Sequence, residues 1–276
     1  MLMRLLFTQE FVSKATIIIY PTSKTAFADF SCGSSNINVL EMEVSVKLSD
    51  RLMTVAGFVT KGLKVADIGT DHGYVPIYLV QNGVCPSAIA ADINEGPVQR
   101  ASKHIAENGL ENYIETRISD GFEKIGVGET ECGIIAGMGG ELMIHILDQG
   151  HDKVQALKEL ILSPHSEIFL VRKYLHSINY KIIDEKMLID EGKYYTVIKA
   201  IHGRDCEYNE SEYRYGKILI DRKDDILKSF ILKEMDKIIE ITDNLRKSST
   251  NNAVIRLNEL EEEYKKLKNV MRGMEE

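Results

Sequence analysis

The 276-residue chain is 44% hydrophobic and 28% charged, an ordinary globular composition with room for one large domain and a smaller appendage. Its formal net charge of -8 argues against nucleic-acid binding through a global basic field, while leaving room for a local Lys/Arg face. No apolar stretch is long enough to cross a bilayer, and the four cysteines (Cys32, Cys85, Cys132, Cys206) form no CxxC pair or ligand cluster. These features predict a cytoplasmic protein with reduced thiols, no metal and no membrane association.

Residues 1–41 combine one strand-length apolar patch, Ala15 to Tyr20, with a Ser/Gly/Asn-rich run, and show neither a helical nor a strand period. They are expected to be an N-terminal extension outside the fold, with translation starting at Met42. N-terminal mass spectrometry tests this, and a native peptide from residues 5–30 would overturn it. From Leu48 the rhythm changes. Leu48, Leu52, Val55 and Val59 recur at helical spacing, with Ser49 and Asp50 as capping residues.

Strands are then predicted at Lys64 to Ile68, Ala88 to Ile93, Tyr113 to Ile118, Cys132 to Ala136 and Glu159 to Leu162, separated by helices or loops. Such alternation implies a parallel sheet covered on both faces. After a helical stretch, Glu167 to Asn179, two strands follow directly, Lys181 to Ile189 and Lys193 to Ile201, joined around Asp190, Glu191 and Gly192. That pattern is a hairpin adding an antiparallel strand.

Residues 204–276 contain no proline and nearly balanced charge. Leu227, Ile231, Met235, Ile238, Ile241 and Leu245 repeat at near-heptad spacing, as do Leu257, Leu260, Tyr264, Leu267 and Met271, and Ser248 to Asn252 breaks the two runs. A helical hairpin is predicted. It either packs on itself or binds a partner, and periodicity does not separate these.

Ligands of doubly wound sheets sit beyond the carboxyl ends of the strands, so the residues after each strand are the informative ones. The first is followed by Asp67-Ile-Gly69-Thr70-Asp71-His72-Gly73. It is neither a dinucleotide GxGxxG nor a Walker A loop, and its acids would repel phosphate. They suit a cationic or donor-rich ligand. Asp92 ends the second strand, where a carboxylate can accept two ribose hydroxyls. Ser119-Asp120-Gly121 follows the third and can meet an adenine edge; Ala136-Gly137-Met138-Gly139-Gly140 follows the fourth and is bare enough for close approach. Each taken alone also suits a turn or a helix cap.

The order Asp67/Gly69/Gly73, Asp92, Asp120 resembles class I S-adenosylmethionine-dependent methyltransferases. More narrowly, LSDRLMTVAGFV, VADIGTDHGYVPIYLV, AGMGG, LILSPH and EGKYYTVIKA are similar to the bacterial tRNA (adenine(22)-N1)-methyltransferase family, TrmK, over roughly residues 46–270. Ser163-Pro164 stands where that family has Gln-Pro. The fold implied is α/β: a Rossmann-like, mostly parallel sheet with an antiparallel last strand over 42–203, and a coiled-coil-like helical hairpin over 204–276 that takes part in tRNA binding.

The resemblance further implies S-adenosyl-L-methionine as cofactor and tRNA as partner, with methyl transfer to N1 of adenine 22. It assigns Asp67, Gly69, Thr70, Gly73, Asp92, Asp120, Gly121, Gly137, Met138 and Gly139 to the cofactor. Asp71, then His72, are the candidates to stabilise the charge left on the methylated base; His72 alternatively is a loop histidine bonded to backbone. Arg51, Tyr194 and Tyr195 are candidate substrate contacts, against a surface ion pair for the arginine and strand packing for the tyrosines. Arg214, Lys217, Arg222, Lys223 and Lys228 could offer phosphate contacts on the appendage. The lack of an Asn/Asp-Pro-Pro-aromatic segment after the fourth strand argues against exocyclic-amine methylation. Another methyl acceptor, or a non-catalytic RNA-binding or assembly protein on this fold, stays open, as does the oligomeric state.

Overall fold

A computed structural model describes residues 46–247 and 250–275, together with the backbone of three short strands, β1 (Ile17–Ile19), β2 (Ala26–Ala28) and β3 (Val39–Glu41). The chain divides into two compact units, Met1–Ser45 and Val46–Glu276. In the first, β1, β2 and β3 form an antiparallel sheet in that order. β1 falls inside the Ala15 to Tyr20 patch, and strands of three residues are too short to display a period. The rest of the proposed extension, including the start expected at Met42, lies outside the described residues.

The second unit runs α1 (Asp50–Phe58), β4 (Val65–Ile68), α2 (Tyr74–Gln81), β5 (Ala88–Asp92), α3 (Glu95–Glu107), β6 (Ile114–Ile118), β7 (Cys132–Ala136), α4 (Gly140–Gln149), α5 (His151–Val154), β8 (Glu159–Ser163), α6 (Ile168–Ser177), β9 (Tyr180–Asp190), β10 (Lys193–His202), α7 (Glu210–Tyr215), α8 (Lys217–Asp221), α9 (Asp225–Leu245) and α10 (Asn251–Glu275). Ser49 caps α1 by accepting from the Leu52 N–H, and Asp50 sits in its first turn.

Seven strands form one sheet in the order β6-β5-β4-β7-β8-β10-β9. The pairs from β6 to β8 are parallel, and β10 runs antiparallel to both neighbours. Strands β4 and β8 are buried at every position, as expected of short apolar runs covered on both faces. β9 and β10 meet at a two-residue turn in which both Glu191 (φ 48) and Gly192 (φ 76) have positive φ, the geometry that matches the strand twist. The hairpin inserts its second strand next to β8 and leaves β9 at the edge.

One apolar cluster fills each face of the sheet, around Ile135, Leu160 and Leu175 on one side and Val65, Ile77 and Ile134 on the other. A third joins Met187 of β9 to Leu219, Leu227, Ile231, Leu260 and Leu267 of the helical appendage. α9 and α10 fold back on one another as the heptads predict, with one correction. Thr242 is buried and Ile241 is exposed, so the seam of α9 steps from Ile238 by four and not by three.

A buried ion pair ties the appendage to the sheet. Arg172 on α6 donates to Glu185 of β9 (Nε to Oε1, 2.7 Å), and its Nη1 donates to the carbonyls of Tyr213 and Arg214 at 2.8 and 3.1 Å. Those are last-turn carbonyls of α7, which the helix itself leaves unpaired. Gly216 closes over the pair: a Cβ there would lie 2.7 Å from Glu185 Oε2 and 2.9 Å from Arg172 Nη2.

Candidate active site

The strand order reverses at β4, which pairs with β5 on one side and β7 on the other, so the loops after these strands flank a shared crevice. Every cofactor-side residue expected from the sequence falls on the carboxyl ends of β4, β5, β6 and β7 or in the loops that follow. After β4, the N–H groups of Gly69 and Thr70 both donate to Ala91 O, at 2.8 and 2.9 Å, fastening the turn to β5. Gly69 (φ 79) and Gly73 (φ 69) both occupy the left-handed region. A Cβ on Gly69 would run into the Met138 methyl from the β7 loop, and one on Gly73 would press on Ala101 of α3 at 3.2 Å.

Asp67 and Thr70 are buried beneath this turn, at 7% and 3% exposure. Burial pushes the Asp67 carboxyl up from 3.8 to about 6; Thr70 beside it pulls the other way, and the Asp92 charge adds to the rise. A carboxyl raised on folding stabilises the protein fully below its ordinary value, and that contribution is lost as pH climbs through the folded value. Asp67→Asn is therefore expected to match the parent near pH 4 and to exceed it by up to about 3 kcal/mol above pH 6. Urea unfolding of both proteins across this range checks it, and parallel curves would refute it.

Asp92 is half-buried and its Oδ1 accepts from the Asn94 N–H at 2.7 Å, shaping the entry to α3. Ser119 is buried, donating to Gly121 O and accepting from Lys124 N, both at 3.0 Å, which leaves Asp120 exposed at the end of β6. The β7 loop is laced to the β8 loop through Gly137 N to Ser163 O (3.1 Å), His165 N to Met138 O (2.8 Å) and Gly140 N to Ser166 O (3.1 Å). This refines the meaning of AGMGG. Gly140 is bare because a Cβ would meet Ser166 O at 2.6 Å, whereas at Gly137 the left-handed backbone (φ 87) is the constraint, and a Cβ there would stand in ordinary contact with Arg51 and His165, at 3.7 and 3.8 Å.

Arg51 is half-buried; its guanidinium lies over the Tyr195 ring (5.4 Å), and its fully shielded Nη1 has no hydrogen-bond partner among the described residues. Tyr195 in turn meets the His165 ring at 5.4 Å, tilted by 59°. Burial, then the charges of Arg51 and Lys193, holds the His165 pKa below its ordinary value. Arg51, Tyr195 and His165 thus gather around Gly137. His165 and Ser163, whose buried Oγ has no hydrogen-bond partner among the described residues, are absent from the sequence-derived set, although both belong to the quoted LILSPH segment.

Other expected residues are engaged elsewhere. Asp71 is exposed and pairs with Arg100 of α3 (2.5 Å) and with His72 Nε2 (3.2 Å). His72, Tyr74 and His104 form a cluster of nearly parallel rings, with centroids 5.0 to 5.4 Å apart. Tyr194, on the opposite side of β10 from Tyr195, shares a hydrogen bond with Ser229 (3.0 Å), packs on Phe230 and lies under Lys233, so it docks the appendage. Of the basic residues proposed for phosphates, Arg214 pairs with Glu263 (2.5 Å), Lys217 with Asp221 (3.0 Å), Arg222 with Asp184 (2.6 Å) and Lys228 with Asp225 (3.4 Å). Among the described residues no cluster of His, Cys, Asp and Glu is arranged to hold a metal, and no helix is long and apolar enough to cross a membrane.

A family profile described as a methyltransferase domain matches residues 48–198. Over 175 residues the chain is 41% identical to the tRNA (adenine(22)-N(1))-methyltransferase of Bacillus subtilis (strain 168), covering 63% of this chain and 74% of that protein. The crystal structure of the B. subtilis m1A22 tRNA methyltransferase TrmK superposes with a TM-score of 0.74 at 34% identity, over 82% of this chain and 100% of the other. Streptococcus pneumoniae Sp1610 in complex with S-adenosyl-L-methionine gives 0.73 at 30% identity with the same coverage. The chain belongs to the tRNA (adenine(22)-N1)-methyltransferase family, built on the class I S-adenosylmethionine-dependent methyltransferase fold.

Proposed function

We propose that this protein transfers a methyl group from S-adenosyl-L-methionine to N1 of adenine 22 in tRNA. The observation that carries this is the succession of Asp67, Asp92 and Asp120 at the ends of β4, β5 and β6, beside turns whose left-handed glycines, Gly69, Gly73 and Gly121, let the neighbouring loops close up around a shared cradle. Acids in that cradle suit a cofactor that is cationic at sulfur and rich in ribose hydroxyls. In this reading Asp92 accepts the ribose hydroxyls, Asp120 with Gly121 meets the adenine, and Gly69, Thr70 and Gly73 give the backbone room to approach. Gly137, Met138 and Gly139 form the wall between cofactor and substrate. When bound, the cofactor supplies an electrophilic methyl: the bond to adenine N1 forms as the bond to sulfur breaks, with the electron pair left on sulfur.

N1 already carries the attacking lone pair, so the protein's task is orientation and accommodation of the positive charge left on the base. Arg51 and Tyr195 line the approach beside Gly137. Asp71, bound to Arg100, and His72, stacked with Tyr74 and His104, order the first loop in this reading. The helical appendage lengthens the surface available to a folded tRNA, and a tRNA substrate puts the activity in the cytoplasm.

Primer extension on tRNA incubated with protein and cofactor tests the reaction, because N1 methylation blocks Watson-Crick pairing. A new stop one base short of position 22 is expected; a stop elsewhere would redirect the assignment, and none would refute it. Asp71→Asn is expected to keep the stop with a rate loss of less than about tenfold, since it gives up one exposed ion pair. A loss of a thousandfold would return Asp71 to the catalytic role.

A further inference from the structure

We propose that His165 positions the target adenine, accepting a hydrogen bond from its 6-amino group on an imidazole nitrogen and so turning N1 toward the methyl donor. This rests on the reading of the protein as an adenine N1 methyltransferase. His165 follows Pro164 at the end of β8, and its backbone N–H is locked onto Met138 O at 2.8 Å, which fixes its position relative to the β7 loop. Its ring is exposed at one end of a cleft of about 390 Å³ that runs past Phe169, Tyr194 and Phe230 to Arg214 of the appendage. The imidazole meets the Tyr195 ring at 5.4 Å, and its Cε1 lies 3.8 Å from the point a Gly137 side chain would occupy, so the ring is held between the β7 loop and β10. An aromatic base entering the cleft has the exposed His165 side chain to meet and the Tyr194 and Phe230 rings along the wall.

The surroundings of the ring decide what the imidazole offers. Desolvation of the partly covered ring, then the charges of Arg51 from α1 and Lys193 from β10, oppose its protonation, which favours the neutral ring with one acceptor lone pair, beside an arginine that only donates. An acceptor facing the 6-position of a purine matches an amino group and rejects a carbonyl, which selects adenine over guanine. Adenine is also the purine whose N1 has a free lone pair. As the ring gains positive charge its amino hydrogens become stronger donors, so this bond tightens on the way to the transition state. No proton needs to leave the base during transfer.

The test is a cycle of two enzymes and two substrates: parent and His165→Ala, each with tRNA transcripts carrying adenosine or purine riboside, which lacks the amino group, at position 22. The parent is expected to bind the adenosine transcript roughly tenfold more tightly and to methylate it faster, and His165→Ala to lose that discrimination. His165→Gln, which restores an acceptor, should recover part of it. Calorimetry should find S-adenosylmethionine affinity unchanged in both variants, and thermal unfolding should find them folded, since the ring is exposed. If His165→Ala still discriminates between the two transcripts, the inference is wrong. If the parent leaves adenine 22 unmethylated, the functional reading fails first.

Discussion

Replacing Arg172 by methionine is expected to remove about 3–5 kcal/mol of folding free energy, the typical cost of stranding one partner of a buried ion pair. The side chains of Arg172 and Glu185 are 1% and 0% exposed, so water cannot take over for the lost guanidinium. The same change strips the acceptor carbonyls of Tyr213 and Arg214 of their donor and loosens the seat of α7. Burial already pushes the Glu185 carboxyl up, and the Arg172 charge opposes this. Without Arg172, Glu185 escapes the penalty by binding a proton, so the deficit should be largest at neutral pH and shrink as pH falls. Removing both charges, with Arg172→Met and Glu185→Leu together, should recover much of the loss, leaving the two α7 carbonyls as the residual cost. Urea unfolding of the two single variants and the double variant checks this; a double variant no better than Arg172→Met would mean that the carbonyl contacts, not the charges, dominate.

Much of this framework was legible in the sequence because its signals are local. Apolar runs gave the buried strands, and the break around Asp190, Glu191 and Gly192 between two alternating segments gave the hairpin; the structure narrows the turn to Glu191-Gly192, with Asp190 paired to Lys193 in the ladder. That β10 and not β9 pairs with β8 is a long-range choice on which no local pattern bears. The shift of the α9 seam from Ile241 to Thr242 has a similar origin: the helix packs against both α10 and the sheet, and this combined surface does not follow a strict heptad.

In the site, acids and glycines after strands could be found because the topology says where to look. The fifth strand end holds Ser163 and His165, but a serine and a histidine flanking a proline carry no periodic or spacing signal. Alternation placed Tyr194 and Tyr195 on opposite faces of one strand without saying which faced the crevice. Two basic residues of the appendage looked available for phosphate because their partners are distant in sequence, Asp184 for Arg222 and Glu263 for Arg214, whereas Lys217 and Lys228 pair with Asp221 and Asp225 on their own helical segments. A tRNA phosphate at either arginine has to compete with a carboxylate already in place.

Asp92→Ala is expected to weaken S-adenosylmethionine binding by about a hundred- to ten-thousandfold. Hydrogen bonds to a charged group contribute about 1.5–3 kcal/mol each, and a carboxylate at this strand end has two ribose hydroxyls to accept. Its Oδ1 also holds the Asn94 N–H, so the variant loses an interaction outside the cofactor as well; that contribution belongs to stability and should be near 1 kcal/mol. Asp92→Asn separates the effects, because its amide oxygen can keep the Asn94 contact while the charge and one acceptor are gone. It should fold as stably as the parent and bind the cofactor with intermediate affinity. A second readout does not depend on the cofactor at all: the Asp92 charge helps to hold Asp67 near its raised value of about 6, so Asp92→Asn should lower the pH at which Asp67 titrates in the free protein. Calorimetry with S-adenosylmethionine and a carboxyl titration by NMR measure the two consequences separately. Lost affinity with Asp67 unmoved would leave Asp92 as a ribose ligand only, whereas unchanged affinity would remove it from the cofactor site.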